Sequence, residues 1–283
     1  MTVSVVIPNY NTWDLVERNV NALLHFDNEL ITEIIVVDDC SPTKNYISFP
    51  EKIKVLRNEK NLHYTGTVNV GLKACKGDII VLLDSDAYPT HPFIQSTINL
   101  YKNNNLLGCV GFETVDENDR ITGNSMPEPS VLSLISGQQI HSKLRKYNVF
   151  ASKNIMPFSC AVSFRKACLD DIGFLDEAFA TLDADQDISI RIHRSKWQLI
   201  YQPAIRIFHK GGGSISKNGS RVIKFYESRW QLLKKYDKIQ FKWFVKLLIT
   251  IRIYLEILIF TFKKNSSDKI NTRKKIIQLI SKF

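Results

Sequence analysis

The chain lacks the cysteine pattern of a cross-linked or zinc-held fold. Its five cysteines, Cys40, Cys75, Cys109, Cys160 and Cys168, are odd in number and include no C-x-x-C pair. That argues against a disulfide framework or a zinc knot and fits a reducing compartment. Low-complexity windows and internal repeats are also missing. With 44% hydrophobic and 23% charged residues, the composition is that of a globular protein and wrong for a disordered one. No basic region precedes the first apolar run, and no small-residue cleavage site follows it. Val3-Ser-Val-Val-Ile7 therefore reads as a first strand and not as a signal peptide. A length of 283 residues allows one large domain, or one domain with an appendage.

Basic excess is absent from most of the chain. The formal charge of +10 comes from residues 221–283, which hold 16 Lys and Arg against 4 Asp and Glu. The first 220 residues hold 22 basic against 24 acidic groups. So biased a tail points to a polyanionic surface, membrane or nucleic acid, with a solvated helical face as the plainer alternative.

What is present is a β/α alternation. Val3–Ile7 is a β-branched run closed by Pro8-Asn9, and Thr12 to Phe26 has helical spacing. Thr12 is placed to cap that helix, with Leu15, Val16, Val20, Leu23 and Leu24 on its apolar side. Ile34–Val37, Ile53–Leu56 and Ile79–Leu83 read as further strands, and 65–75 and 91–103 as helices. This order predicts a mostly parallel sheet with both faces covered. Leu106–Phe112 and Ala161–Phe164 are strand-like, and Leu199–Tyr201 and Ile205–Phe208 read as two short strands. In such sheets ligands bind beyond the carboxyl ends of the strands. Those ends carry Pro8-Asn9-Tyr10-Asn11, Asp38-Asp39 and Asp84-Ser85-Asp86, three polar clusters on one rim.

Asp84-Ser85-Asp86 puts two carboxylates at the end of a buried strand, where they can reach a hard divalent cation. Asp38-Asp39 either forms an Asx-type turn or accepts hydrogen bonds from a base or ribose. Tyr10 either packs on the following helix or stacks on a flat base. Asp183, Asp185 and Asp187 crowd one short segment, so burial raises at least one pKa unless a cation compensates. Arg191 lies one helical turn beyond Asp187 and can pair with it. A carboxylate left over can deprotonate an attacking hydroxyl. His209, followed by three glycines, is either a third metal ligand or a polar loop residue.

Together these segments resemble the family 2 glycosyltransferases of the GT-A fold over about residues 1–230. Val3-Ser-Val-Val-Ile-Pro-Asn-Tyr-Asn11 is similar to the family's opening strand, and Ile35-Val-Val-Asp-Asp-Cys-Ser41 to its V-D-D-x-S. Arg57-Asn58, Asn61, Gly66, Asn69 and Gly71 resemble R-N-x-x-N…G…N-x-G. Gly77-Asp78 through Asp84-Ser-Asp86 resembles G-D-x-x-x-x-L-D-x-D. Later, Gly173-Phe-Leu-Asp-Glu177 resembles G-x-F-D-E, Asp185-Gln-Asp187-Ile-Ser-Ile-Arg191 resembles E-D-x-D-x-x-x-R, and His209 to Ser214 resembles H-x-x-G-x-S.

The resemblance implies a catalytic domain over 1–220, with a nucleotide-sugar half (1–107) and an acceptor half (108–220), followed by a basic helical tail, 221–283. It implies an inverting transferase that moves a sugar from a nucleotide donor to a hydroxyl of a glycan or a lipid-linked acceptor. Pro8, Tyr10, Asn11, Asp39, Asn61, Gly66, Asp84 and Ser85 would line the donor pocket, with Asp39 on a uracil or thymine base. Asp84, Asp86 and His209 would hold Mn²⁺ or Mg²⁺, and Asp185 would be the general base. UDP is the first choice of nucleotide. A dTDP-rhamnose donor is the second, because His209 through Arg229-Trp230 also resembles rhamnosyltransferases. Two departures stand out: Ala184 replaces the usual Glu before the base, and His63-Tyr64 replaces the commoner Gly-Phe or Gly-Tyr.

In the tail, Phe244, Leu247, Leu248, Ile251, Leu255, Leu258, Ile259 and Phe262 share one helical face, with Lys242, Lys246, Arg252 and Glu256 elsewhere. Charges at the centre of a span cost about 2.5–3.5 kcal/mol each, so an interfacial amphipathic helix on an anionic membrane is expected. A homodimer helix is the alternative. The reading is a cytoplasmic, peripheral membrane enzyme of bacterial polysaccharide synthesis. A sugar-nucleotide pyrophosphorylase is disfavoured, because Pro8-Asn9-Tyr10-Asn11 is not a Gly-rich phosphate loop. A nucleic-acid-binding protein with a degenerate transferase core is the reading from another class, and no base-reading motif supports it.

Overall fold

A computed structural model describes residues 1–43, 47–137, 154–210, 219–264 and 266–283. The chain divides into two compact units: Met1–Met126 with Asn154–Gly211, and Pro127–Lys153 with Gly212–Phe283.

The first unit is built on an eight-stranded sheet. In chain order its elements are β1 (Val3–Asn9), α1 (Trp13–Asp27), β2 (Glu33–Asp38), β3 (Ile53–Arg57), α2 (His63–Ala74), β4 (Ile79–Leu83), β5 (Ala87–Pro89), α3 (Ile94–Asn103) and β6 (Leu107–Val115). β7 (Ser125–Pro127) and β8 (Ile155–Pro157) form a separate ribbon. The segment α4 (Val131–Ser136) falls in the second unit. The first unit then resumes with β9 (Ala161–Arg165), α5 (Lys166–Ile172), α6 (Ala184–His193) and β10 (Gln198–His209). The strand order is β3-β2-β1-β4-β9-β6-β10-β5. β1 pairs in parallel with β2 and β4, β2 with β3, and β6 with β10; β9 and β5 run antiparallel to their neighbours. The parallel part is the β/α alternation read in the sequence, and the apolar runs are its buried strands. Every residue of β1, β2, β4 and β6 is buried. Each Val, Leu or Ile so covered contributes about 1.5–3 kcal/mol.

Three details differ from the sequence reading. Residues 198–209 form one long strand, not two: Gln198–Gln202 and Arg206–Phe208 both pair with β6 across a bulge. The bulge takes up Pro203, which has no N–H for a ladder. The second difference is at Thr12. It does precede α1, but its side chain makes no capping bond. The hydroxyl instead lies 2.8 Å from Asn9 Oδ1 and 2.9 Å from Ser85 Oγ. Third, α1 buries Trp13, Asn19 and Asp27 alongside Val16, Val20 and Leu23, while Leu15 and Leu24 are only partly covered.

Gly71 of α2 is where helix and sheet approach most closely. A Cβ there would sit 2.4 Å from Val6 Cγ1 and 3.0 Å from Val37 Cγ2, so only glycine lets α2 lie on β1 and β2.

The second unit carries three longer helices, α7 (Gly219–Lys235), α8 (Lys242–Thr261) and α9 (Ser267–Lys282). Among the described residues no helix is long and apolar enough to cross a membrane. In α8 the buried residues are Val245, Ile249 and Ile253. The face expected to be apolar is so, and it points outward: Phe244, Leu247, Ile251, Leu255, Leu258, Ile259 and Phe262 are all exposed.

Candidate functional site

β1, β2 and β4 run parallel, so their carboxyl ends share one rim, with Asn9 of β1 opposite Asp38 of β2. Buried Asn9 donates to Asp38 Oδ1 at 2.9 Å. Asn11 has φ +57°, a left-handed conformation asparagine tolerates, and its N–H donates to Ser41 Oγ at 2.7 Å. The Thr12–Ser85 contact ties the end of β1 to the turn after β4. The three polar clusters therefore converge. Pro8 is buried within β1, while Tyr10 beyond it is 55% exposed.

The two acids at the end of β2 differ in their surroundings. Asp38 is buried and fully engaged, by Asn9, the N–H and hydroxyl of Ser41, and the Arg57 guanidinium. Asp39 is buried too, but only its Oδ1 is taken, by Asn58 Nδ2 at 3.0 Å and the Leu62 N–H at 2.7 Å. Its Oδ2 has no partner among the described residues. Asn61 accepts the His63 N–H at 2.9 Å, where His63 turns at φ +60° into α2. Gly66 is buried in α2, where a Cβ would lie 2.9 Å from Leu62 Cβ.

At the end of β4, Asp84, Asp86 and His209 offer ligand atoms all within 4.8 Å of one another. The fold makes this meeting in two ways. Asn19 of α1 grips the turn, donating to the carbonyls of Asp84 at 3.0 Å and Ala87 at 2.6 Å. β5 then pairs with the end of β10, Ala87 opposite His209, and sets Asp86 beside the imidazole. His209 Nε2 lies 3.4 Å from Asp86 Oδ1. Burial raises the Asp84 pKa to about 6, helped by the charge of Asp86; the Tyr64 hydroxyl and His209 pull the other way. For Asp86, burial acts upward, but the hydrogen bond and charge of His209 outweigh it and leave its pKa lowered. His209 is correspondingly raised: burial opposes protonation, and the bond to Asp86 overcomes it. Two carboxylates and an imidazole with this unrelieved negative charge make a donor set suited to a divalent ion. Gly211–Ser214, read as part of the same motif, lie outside the described residues.

Asp185 sits in the first turn of α6. Burial raises its pKa to about 7, with Asp183 adding to the rise and backbone N–H groups, that of Ser159 among them, holding it back. Asp183 precedes the helix in a left-handed conformation, φ +66°. Asp187 is 0% exposed at its side chain and is held by Arg191 Nε at 2.9 Å, as the one-turn spacing suggested. Arg191 also donates to the carbonyls of Ile172, Gly173 and Phe174. Asp187 and Arg191 are thus a structural clamp on the 173–177 turn. Asn69 grips the same turn from α2, through Leu175 and Glu177.

Residues to which the sequence reading gave no site role complete the site. Tyr64 donates to Asp84 Oδ1 at 2.8 Å and meets Ser159 Oγ at 3.0 Å. Ser159 in turn reaches Asp185 through its backbone, so the β4 turn and α6 are joined by Tyr64 and Ser159. The Cys160 thiol bonds Asn124 Oδ1 at 2.9 Å, and burial plus the charges of Asp84, Asp185 and Asp86 push its pKa well up. Asn19 had a visible signal, a polar residue on the apolar stripe of α1. Ser159 and Cys160 had none.

Known proteins bear on this geometry. A dolichol-phosphate mannosyltransferase of Pyrococcus furiosus is 32% identical over 108 residues, 36% of this chain and 31% of that protein. Across this and other curated relatives, the matched stretch covers 12% to 43% of the relative's own length. Among solved structures, the mannosyltransferase PcManGT from Pyrobaculum calidifontis, in complex with GDP-Man and Mn²⁺, aligns with TM-score 0.58 at 15% identity, over 99% of this chain and 75% of that one. S. aureus TarS 1-349 in complex with UDP aligns with TM-score 0.52 at 17% identity, over 99% and 71%. These likenesses establish a shared mixed α/β fold of the GT-A type. Residues 4–173 match the profile described as Glycosyl transferase family 2, and with more than half of its length matched the chain belongs to that family.

Proposed function

We propose that this protein transfers a sugar, with inversion, from a nucleoside-diphosphate donor to a hydroxyl of a glycan or lipid-linked acceptor. The observation that carries this reading is the meeting of Asp84, Asp86 and His209 within 4.8 Å on the rim that also bears Asp39. Asp84, Asp86 and His209 would hold Mn²⁺ or Mg²⁺, and two acids and an imidazole within 4.8 Å of one another are the observation that supports such a site. The ion would offset charge on the donor's diphosphate.

The remaining roles belong to the chain itself. Asp39, with Oδ2 free, accepts hydrogen bonds from a uracil or ribose, and exposed Tyr10 offers a face for stacking. Asn11 and Ser85 frame the pocket between them. Asp185 takes the proton of the acceptor oxygen. Its pKa of about 7 suits that task near neutral pH, and the Asp187–Arg191 pair takes Asp187 out of contention. The Tyr64–Ser159 link orients Asp84 and Asp185 together.

UDP-sugar is the favoured donor on the sequence resemblance, with dTDP-rhamnose second; the shared fold includes both UDP- and GDP-Man-bound structures and does not choose between nucleotides. The catalytic part is 1–220, and the basic tail 221–283 holds it at the cytoplasmic face of a membrane. The test is donor binding by calorimetry with Mn²⁺, across UDP-, dTDP- and GDP-sugars, repeated with chelator and with Asp86→Ala. Binding of one nucleotide class, lost under both treatments, supports the reading. A folded protein that binds none of them sinks it.

A further inference from the structure

Helix α8 is oriented contrary to the usual rule for a surface helix. Its central charges, Arg252 and Glu256, are turned toward the neighbouring helices beside three buried apolar residues, and most of its large apolar residues face out. On the inner side Val245, Ile249 and Ile253 are 6% exposed or less. Between them Arg252 pairs with Glu256 and with the Tyr226 hydroxyl of α7, and Glu256 accepts a second bond, 2.6 Å long, from Arg273 of α9. These side chains are 14–22% exposed, so the central charges of α8 are consumed within the three-helix unit.

On the outer side Phe244, Leu247, Ile251, Leu255, Leu258 and Phe262 are 45–84% exposed. Their spacing of three and four residues puts them on one strip along a helix about 30 Å long. Soluble proteins rarely leave so continuous an apolar strip to water, and a strip of this kind marks an interaction site. Trp243 and Tyr254, 69% and 57% exposed, border it. Exposed Lys242 stands at one end and Lys263 and Lys264 at the other.

We propose that this strip is a membrane-docking surface: α8 lies flat in one leaflet of an anionic bilayer, apolar strip among the acyl chains, lysines at the lipid phosphates. The charges select this occupant over a second copy of the chain. Two α8 strips packed antiparallel set Lys242 against Lys263 and Lys264, and packed parallel they set each lysine against itself. An anionic surface satisfies the lysines in any orientation, and residues 221–283 carry 16 basic groups against 4 acidic. A crossing helix is ruled out by length and polarity among the described residues. The proposal rests on the peripheral-enzyme reading for its purpose, though not for its test.

The full chain is mixed with phosphatidylcholine vesicles, with and without phosphatidylglycerol, and sedimented. We expect association with the anionic vesicles, weaker by about tenfold on neutral ones. Brominated lipids should quench Trp243, a signal missing from Trp243→Phe. The triple variant Leu247→Asn/Leu255→Asn/Leu258→Asn should lose most vesicle binding with its circular dichroism and melting unchanged. Should that variant misfold, the quenching of Trp243 in the wild-type chain decides alone. No vesicle binding by the folded protein overturns the proposal. So does vesicle binding with Trp243 unquenched, which is adsorption by charge alone, and so does a lipid-free dimer that Leu255→Asn dissolves. Donor binding by the same preparation separates the two claims: without vesicle binding it removes the docking surface only, and vesicle binding without it removes the transferase reading only.

Discussion

Two aspartate pairs end two neighbouring strands of the sheet, and they are built to opposite ends. At β2, Asp38 is neutralised from within by Arg57 and by the polar groups of Asn9 and Ser41, and Asp39 is half satisfied by Asn58 and Leu62. At β4, Asp84 and Asp86 share a rim with an imidazole and a phenol and no directly paired guanidinium among the described residues, and burial lifts Asp84 to about 6. In the first pair one acid is finished and the other keeps one oxygen for a hydrogen-bond donor. The second pair is unfinished electrostatics that an external cation completes. In sequence the two look alike, D-D and D-x-D after apolar runs. The partners, not the acids, make the difference.

The strongest way to break this comparison is at β4. Asp86→Ala should lower metal-dependent donor affinity or turnover by about a thousandfold, a loss of several kcal/mol, with the fold retained by circular dichroism. Retained Mn²⁺-dependent binding in calorimetry means the β4 pair is not the cation site.

Asp185 extends the same logic to a third acid. Asp185→Asn should cut kcat by about 10²–10⁴ with donor affinity within about twofold. In the wild type, kcat/KM should rise with pH through about 7, and that limb should vanish in the variant. The stability sign is fixed by the direction of the shift. The folded pKa lies above the ordinary aspartate value of 3.8, so Asp185 favours the folded state most below that value, and this support is lost as pH rises through about 7. Asp185→Asn should therefore raise stability at pH 8, by on the order of 1 kcal/mol, and not at pH 4; thermal melts at both values check it.

At β2 the expected damage is to the fold. Asp38→Asn removes a buried acceptor from Asn9 and Ser41 and the partner of half-exposed Arg57, and should cost about 1–3 kcal/mol in urea unfolding. Donor affinity of the fraction that remains folded should stay within a few fold. The finest probe is Tyr64→Phe. It removes the donor to Asp84 Oδ1 and should weaken Mn²⁺ binding about tenfold by calorimetry, with no change in the melt. An unchanged Mn²⁺ affinity would remove Tyr64 from the site.

The parallel part of the fold and the rim were legible because the signals are local. β-branched runs such as Ile34–Val37 and Ile79–Leu83 stop at acidic residues, and that alone brings Asp39, Asp84 and Asp86 to one edge. Gly71 was legible as a motif but not as a contact with Val6 and Val37. Distance in sequence hid the rest. Tyr64 meets Ser159 across 95 positions, and Asn69 grips Leu175 across 106. No property of Ser159 or Leu175 announces either contact. The continuity of β10 was masked by Gln202-Pro203-Ala204, which reads as a break and is a bulge. Amphipathic spacing found both faces of α8, yet which face turns inward depends on Tyr226 and Arg273, contributed by other helices. Nothing in residues 127–153 says that they cluster with the end of the chain.

The antiparallel β9 also sets the order in which the protein can be made. Strands β1 to β4 have their mutual partners as soon as residue 83 has emerged, but one edge of β4 is filled by β9, at Ala161–Arg165. Roughly 80 residues must be synthesised in between, about 4–16 s of translation at usual rates. Through that interval Ile79–Leu83, wholly apolar, is an open strand edge on a half-made sheet, able to pair with any other extended chain. The nascent protein therefore has a window of aggregation risk that the finished one lacks. Faster elongation over residues 84–165, or a chaperone bound during it, should raise the soluble yield without altering a single contact of the native state.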